Sequence, residues 1–424
     1  MTIGQPATTK IGETVTRKLR IGYLVPQFPG QTHIFFWREI QALEQMGHEV
    51  HVLSTRKPPA GLISHSWSDD AMSRTRYLVN MAPLPAVKGL SRLIPRGLFG
   101  WTLKEGPRFG AEAVLASAAA QALLSYTREA NLDHIHVHSC GKAALIAALA
   151  RKMGGAPYSL TLHGPLSDYG VGQAFKWQNA EFATIITQKL LSEMQNDLAD
   201  HLPDRLIIRP MGVDTDTLRR AGSYEPPQSG RPMRLFSCGR LNVVKGHQDL
   251  MTAVRQLLDQ GVDVRLEIAG EDDAGGSGFR KELEDHLKKL HLQDHVKLLG
   301  AIDADAVKAK LQEAHLFVLA SWHEPLGVAY MEAMSMGVPV IATDSGGVPE
   351  LIEDGVQGIL VPPKTPSILA RSIRDLAGRA DTLERLSNVG RTHVEQNFRA
   401  SLGAEVIAKE IALGLNHRSE TENT

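Results

Sequence analysis

Four side chains are spaced so that they could act on one ligand: Arg240 and Lys245, five positions apart, and Glu324 and Glu332, with seven residues between them. The basic pair lies in GRLNVVKG (239–246), directly after MRLFSC (233–238), a short apolar run that reads as a buried strand. Both cations therefore leave a strand's carboxyl end, the edge at which open α/β sheets bind ligands. Two fixed cations at such an edge suit a diphosphate. The glutamates sit in HEPLGVAYMEAMSMGVPVIATDSGGVPE (323–350), where 329–336 is a helix-forming run that Gly337 stops and 338–343 is strand-like. Glu324 then lies in the loop ahead of a helix, and Glu332 lies on it. Charged acceptors make stronger hydrogen bonds to hydroxyls than neutral ones, so this pair suits a polyhydroxylated ligand. The amides of Gly327 and Val328 would sit at the helix's positive end, where phosphate oxygens are favoured.

Alternating elements position these residues. A strand at 19–25, the loop PQFPGQTH (26–33), a helix at 34–46 and a strand at 49–54 form one βαβ unit, with Gly30 in its loop. An alanine- and leucine-rich helix at 139–153 lies between strands at 135–137 and 158–162. His163 ends YSLTLH (158–163) at the carboxyl edge of this first sheet. The periodicity lapses in PMGVDTDTLRRAGSYEPPQSGRPMR (210–234), whose Pro, Gly and Ser mark a linker. Strands then recur near 264–269, 296–299, 316–320 and 338–342. Strands alternating with helices of this length imply parallel, doubly wound sheets. The expected division is a disordered leader 1–18, a first Rossmann-like domain 19–210, a linker 211–232, a second Rossmann-like domain 233–395, a helix 396–415 and a polar, frayed tail 416–424.

Composition bounds the remainder. With 43% hydrophobic and 22% charged residues, 424 residues can bury the cores of two domains, and a net charge of −1 gives no global pull toward nucleic acid. No run of about 18 uncharged apolar residues occurs, and residues 1–18 are too polar for a signal peptide, so the expectation is a cytoplasmic chain. Cys140 and Cys238 read as buried free thiols. His134, His136 and His138 alternate along one strand and share a face; with no second cluster they read as a buried or cleft-edge strand rather than a zinc site. Residues 71–110 carry seven Lys or Arg against one acidic residue, Glu105, with Leu93, Ile94, Leu98, Phe99 and Trp101 interleaved. Such a surface can attach to anionic lipid without spanning it, and is otherwise an ordinary basic face.

At these residues the sequence resembles the retaining family 4 glycosyltransferases of the GT-B fold, from about residue 20 to about 398 and most strongly over 233–362. The resemblance implies two Rossmann-like domains facing a cleft, with the last helix crossing back to the first domain. It assigns the diphosphate of a nucleotide sugar to Arg240 and Lys245, the donor sugar to Glu324 and His163, and the ribose hydroxyls to Glu332. Gly30 matches the loop that approaches the donor phosphate in relatives, although there is one glycine here rather than the frequent pair. FPGQTHIFFWREI (28–40) resembles a subgroup associated with exopolysaccharide assembly, which usually reads Ser-Glu-Thr where this chain has Thr32, His33 and Ile34. The implied reaction retains anomeric configuration by front-face attack, on a lipid-linked or other glycan acceptor, with no cofactor and no metal. The other major glycosyltransferase fold binds Mn²⁺ at Asp-X-Asp; here Asp214 and Asp216 fall in the linker, and Asp303 reads as a helix cap beside Asp305. Two other classes share the fold: a nucleotide-sugar epimerase, which would turn over donor without acceptor, and an inactive nucleotide-sugar binder, which would show no turnover.

Overall fold

The computed structural model describes residues 17–30, 33–58, 67–78, 83–272 and 278–422. Nearly all of the expected leader, together with Gln31 and Thr32 of the first loop and four residues of the basic segment, lies outside them. The first sheet comprises β1 (Arg20–Gln27), β2 (Glu49–Arg56), β3 (Arg76–Tyr77), β4 (His134–His138), β5 (Tyr158–Leu162), β6 (Ala183–Ile185) and β7 (Leu206–Ile208), in the order β3-β2-β1-β4-β5-β6-β7. The second comprises β8 (Met233–Cys238), β9 (Val264–Ala269), β10 (Val296–Gly300), β11 (Leu316–Val318), β12 (Val340–Thr343) and β13 (Ile359–Val361), in the order β10-β9-β8-β11-β12-β13. Every pairing between these strands is parallel. Each sheet therefore reverses direction of winding once, between β1 and β4 and between β8 and β11. A doubly wound sheet opens a crevice at such a switch point.

Burial explains why the strands form. β4 (HIHVH) and β5 (YSLTL) are buried along their whole length although their sequences alternate, because His134 and His136 bond to the Ser159 and Thr161 hydroxyls on the neighbouring strand. Helices cover both faces, as on the inner side where Lys142–Lys152 buries eight consecutive residues from Ala143 to Ala150. That helix begins at Lys142, not at 139: Ser139 takes a left-handed φ of 96°, so the chain turns before the helix starts. The final helix, Ala400–Glu422, places Ala404, Ile407, Ala408 and Ile411 in one cluster with Phe36, Trp37 and Ile40 of the Ile34–Gln45 helix. It thus crosses back onto the first domain. Helix continues through Asn416 to Glu422, where a frayed tail was expected. An ion pair between Arg418 and Glu181 of the first domain holds this last turn in place, a contact that local polarity could not announce.

Candidate active site

The two switch points face one another across the cleft. Arg240 follows β8, and Ser321, Trp322 and Glu324 follow β11, its hydrogen-bonded neighbour. A cavity of about 190 Å³ opens here, lined from the second domain by Gly239, Arg240, Val328 and Glu332 and from the first by Ile34 and Arg38. Of the residues expected at the site, Arg240, Val328 and Glu332 therefore border one space. Gly327 caps the Val328–Ser335 helix in a left-handed conformation, φ 103°, so the helix's amino end opens at this wall.

Glu324 is held from several sides. Its Oε2 accepts from Lys245 Nζ at 2.5 Å and from Ser321 Oγ at 3.1 Å, and only 8% of the residue is exposed. The GGVPE turn locks its backbone: Gly347 N donates to Glu324 O at 2.9 Å, and a Cβ on Gly346 would lie 2.0 Å from that same oxygen. Gly346 also has φ +65°, so both space and backbone conformation require glycine there. Lys245 and Glu324 thus form a close ion pair. The motif's two halves, some eighty residues apart in sequence, meet directly.

Glu332 pairs across the cleft. Its Oε1 accepts from Arg38 Nη1 at 2.9 Å, with the two side chains 16% and 10% exposed. A second bridge runs from the last glutamate of GGVPE: Glu350 accepts from the backbone amides of Gln188 and Lys189 at 2.5 and 2.8 Å. Those amides open the Gln188–Leu198 helix, whose positive end favours a carboxylate. Neither Arg38 nor this use of Glu350 was foreseen. Arg38 stands in the apolar run IFFWREI, where a single charged pair resembles the solvated edge of an amphipathic helix.

His163 follows β5 in the first domain. Its Nε2 lies 3.1 Å from His138 Nδ1, and the rings of Phe35 and Phe36 stand 5.7 and 5.6 Å away. Burial holds its pKa at about 3, so the ring is neutral. Gly30 is buried against the next aromatic turn, where a Cβ would meet His33 Nδ1 at 2.3 Å. His33 is likewise neutral, lowered to about 4 by burial and by the charge of Arg240 across the cleft. His33, at a position where the resembling subgroup usually carries an acidic residue, therefore lies near Arg240 without adding negative charge.

The strand histidines are structural. His136 places Nδ1 2.7 Å from Ser159 Oγ and Nε2 2.9 Å from Thr161 Oγ1, while His134 Nε2 lies 2.8 Å from the same serine. Among the described residues, Glu39, His136 and His138 have ligand atoms within 4.8 Å of one another, but both nitrogens of His136 are already committed to hydroxyls. Asp214 is closed within its own turn by the amides of Asp216 and Thr217 and by the Thr217 hydroxyl. Asp303 caps the Ala304–Glu313 helix by accepting from Ala306 N at 2.8 Å. Cys140 and Cys238 are both free, but Cys238 is only half-buried and lines the cavity.

Residues 33–193 match the family model described as glycosyl transferase 4-like domain, and residues 225–393 match that described as glycosyl transferases group 1. A putative colanic acid biosynthesis glycosyltransferase, WcaL of Salmonella typhimurium, is 27% identical over 90% of this chain and 96% of its own. The amylovoran biosynthesis glycosyltransferase AmsK of Erwinia amylovora is 24% identical over 92% of this chain and 98% of its own. Among solved structures, a glycosyltransferase from Rickettsia africae matches with a TM-score of 0.71 at 18% identity, covering 93% of this chain and 99% of that one. HepE of Anabaena, in complex with UDP and glucose, matches with a TM-score of 0.65 at 19% identity over 93% and 99%. The fold is GT-B, and each of its two domains carries the sequence of a glycosyltransferase domain.

Proposed function

We propose that this chain is a retaining hexosyltransferase that moves a sugar from a nucleotide diphosphate sugar to a glycan acceptor in exopolysaccharide or glycolipid assembly. The observation that carries this reading is the convergence of Arg240, Lys245, Glu324 and Glu332 at the β8/β11 switch point, with Arg38 of the first domain paired to Glu332 across the cleft. The names of WcaL and AmsK support the polysaccharide setting, and the HepE complexes support a nucleotide-sugar donor.

On this reading, cleavage of the glycosidic bond leaves negative charge on the diphosphate. Arg240, Lys245 and the amides of Gly327 and Val328 stabilise that charge more in the transition state than in the ground state, which accelerates the step. Glu324 accepts from donor-sugar hydroxyls, and Glu332 accepts from the ribose. Both carboxylates are held by cations, Lys245 and Arg38, so each serves as an anchored acceptor rather than an unrestrained nucleophile. That arrangement supports front-face attack, with the departing phosphate helping to take the acceptor's proton.

The acceptor side is a surface of mixed basic and apolar character. Ile94, Phe99, Leu103 and Leu115 are 62%, 70%, 72% and 74% exposed, beside Lys88, Arg96 and Lys104. Leu93 and Leu98 belong to the core instead, and Arg92 donates to Gln121 at 2.6 Å. Among the described residues no helix is long and apolar enough to cross a membrane. This surface fits peripheral contact with an anionic membrane that presents a lipid-linked acceptor.

The experiment that tests the reading is a thermal-shift screen of intact nucleotide sugars followed by product analysis with and without acceptor. A ligand at a hundred times its dissociation constant adds about 2.7 kcal/mol of stability. Stabilisation by one nucleotide sugar and acceptor-dependent transfer with a retained anomer is the expected result. Donor turnover without acceptor would assign an epimerase, and stabilisation without turnover an inactive binder.

A further inference from the structure

A chain of buried polar groups runs behind His163. Tyr23 of β1 donates its hydroxyl to Glu39 Oε2 at 2.7 Å. The same oxygen lies 3.0 Å from His138 Nε2, and His138 Nδ1 lies 3.1 Å from His163 Nε2. The ring of His138 stacks on that of His163 at 5.3 Å and lies against Tyr23 at 4.5 Å. We propose that Glu39 is a positioning residue for His163: through His138 it fixes the His163 imidazole with its proton on Nε2, leaving Nδ1 as an acceptor for a substrate hydroxyl. This rests on the reading of His163 as a contact to the donor sugar.

The chain of protons follows from the contacts. The Glu39–His138 approach is too bent for a good hydrogen bond, and His138 Nε2 has no better partner among the described residues. Its electrostatics still decide. Burial raises the pKa of the Glu39 carboxyl, opposed by His136 and by the Tyr23 hydroxyl; as the carboxylate, its oxygen at 3.0 Å repels a lone pair on Nε2 and attracts an N–H dipole, so Nε2 keeps the proton. Both imidazoles are buried and neutral, each lowered to about 3 by desolvation, so each carries a single proton. His138 Nδ1 is then a lone pair. It bonds to His163 only if His163 Nε2 carries the hydrogen. The remaining nitrogen, His163 Nδ1, is consequently an acceptor, and among the described residues it is buried with no hydrogen-bond partner. An acceptor at that position suits a hydroxyl and would repel a phosphate oxygen.

An independent feature concerns Glu39 Oε1. A Cβ on Gly403, inside the Ala400–Glu422 helix, would lie 2.6 Å from that oxygen. Glycine weakens a helix interior, and here its missing side chain leaves room for the carboxylate. The crossing helix thereby closes over Glu39 and keeps it in the chain.

The test reads tautomers directly. The full chain, without donor or acceptor, is isotope-labelled at its histidine ring nitrogens and examined by long-range proton–nitrogen correlation spectra at neutral pH, with His138→Gln and His163→Gln used for assignment. His138 and His163 are both expected in the form protonated on Nε2. Glu39→Gln offers His138 an amide donor in place of the anion, and His163 should then leave the pure Nε2-protonated pattern. Tyr23→Phe keeps the carboxylate and should keep the pattern. A wild-type His163 protonated on Nδ1, or an unchanged His163 pattern in folded Glu39→Gln, overturns the proposal; should that variant not fold, the wild-type spectrum decides alone. Because no sugar nucleotide is present, failure here leaves the transferase reading standing, and failure of the transferase assay leaves these spectra unchanged.

Discussion

The two walls of the cleft are built in opposite ways. The second-domain wall takes its functional groups from two segments, 239–246 directly after β8 and 323–350 a few residues beyond β11. The first-domain wall assembles His163, His138, Glu39, Tyr23 and Arg38 from β1, β4, β5 and the helix between β1 and β2. In the second wall, local sequence and local structure coincide. In the first, contacts depend on tertiary packing, and the polar groups are buried among aromatic rings. Arg240, exposed and local in sequence, can be removed with little harm to the fold. Buried, dispersed groups cannot.

That contrast is sharpest at the cations. Lys245→Ala and Arg240→Ala should each lower turnover by a factor on the order of 10²–10³ with the fold intact, since each removes one electrostatic contact to the leaving group. Steady-state turnover beside a circular dichroism spectrum checks both parts. Near-normal turnover in both variants would remove the clamp assignment.

Arg38 tests whether the first wall also reaches the donor. The guanidinium pairs with Glu332 and borders the cavity beside Arg240. Hydrogen bonds to charged groups contribute about 1.5–3 kcal/mol, so Arg38→Met should weaken binding of a nucleoside diphosphate by roughly 10- to 100-fold. Calorimetry with UDP, GDP and ADP measures it. Unchanged affinity for whichever nucleotide binds would confine the donor to the second domain.

The same contrast governs what could be read before the structure. The βαβ alternation was legible because short strand-like runs alternate with helix-length segments, and β5, β8 and β9 fall where those runs lie. The expected β11 continued to 320, whereas the strand ends at Val318. Beyond it the backbone serves the site: Ser321 O accepts from Thr343 at 2.5 Å and Trp322 O from Ser345 at 2.6 Å. Arg240, Lys245, Glu324 and Glu332 could be named from spacing because strand ends place them. Arg38 and Glu39 could not, since adjacent charges in an amphipathic helix ordinarily face water, and only the opposing domain and the crossing helix bury this pair.

A smaller effect is expected at the basic, apolar face. Arg92 and Arg96 both lie in the segment, but Arg92 is tied to Gln121, so Lys88 and Arg96 are the better probes. Each cation near an anionic surface contributes about 1 kcal/mol, so Lys88→Glu with Arg96→Glu should weaken vesicle binding by about tenfold or more. Co-sedimentation with anionic and neutral vesicles at two salt concentrations measures this, with nucleotide binding unchanged. Equal binding by the double variant, or indifference to lipid charge, favours a soluble acceptor.

Chelation should have the smallest effect of all, namely none. A diphosphate leaving group needs positive charge, which a divalent cation or fixed protein cations can supply. The carboxylates that could hold a metal are otherwise engaged: Asp214 by its own turn, Asp303 as a helix cap, and Glu324 and Glu332 by Lys245 and Arg38. Glu39 is directed away from the cavity toward Tyr23 and His138, and its neighbour His136 has both ring nitrogens on hydroxyls. On the proposed reading, Arg240 and Lys245 supply that positive charge. Turnover measured before and after exhaustive EDTA treatment should therefore agree. Complete loss, recovered by adding Mn²⁺, would mean that one of these engaged carboxylates opens when donor binds, and the fixed-cation account of the second wall would fall with it.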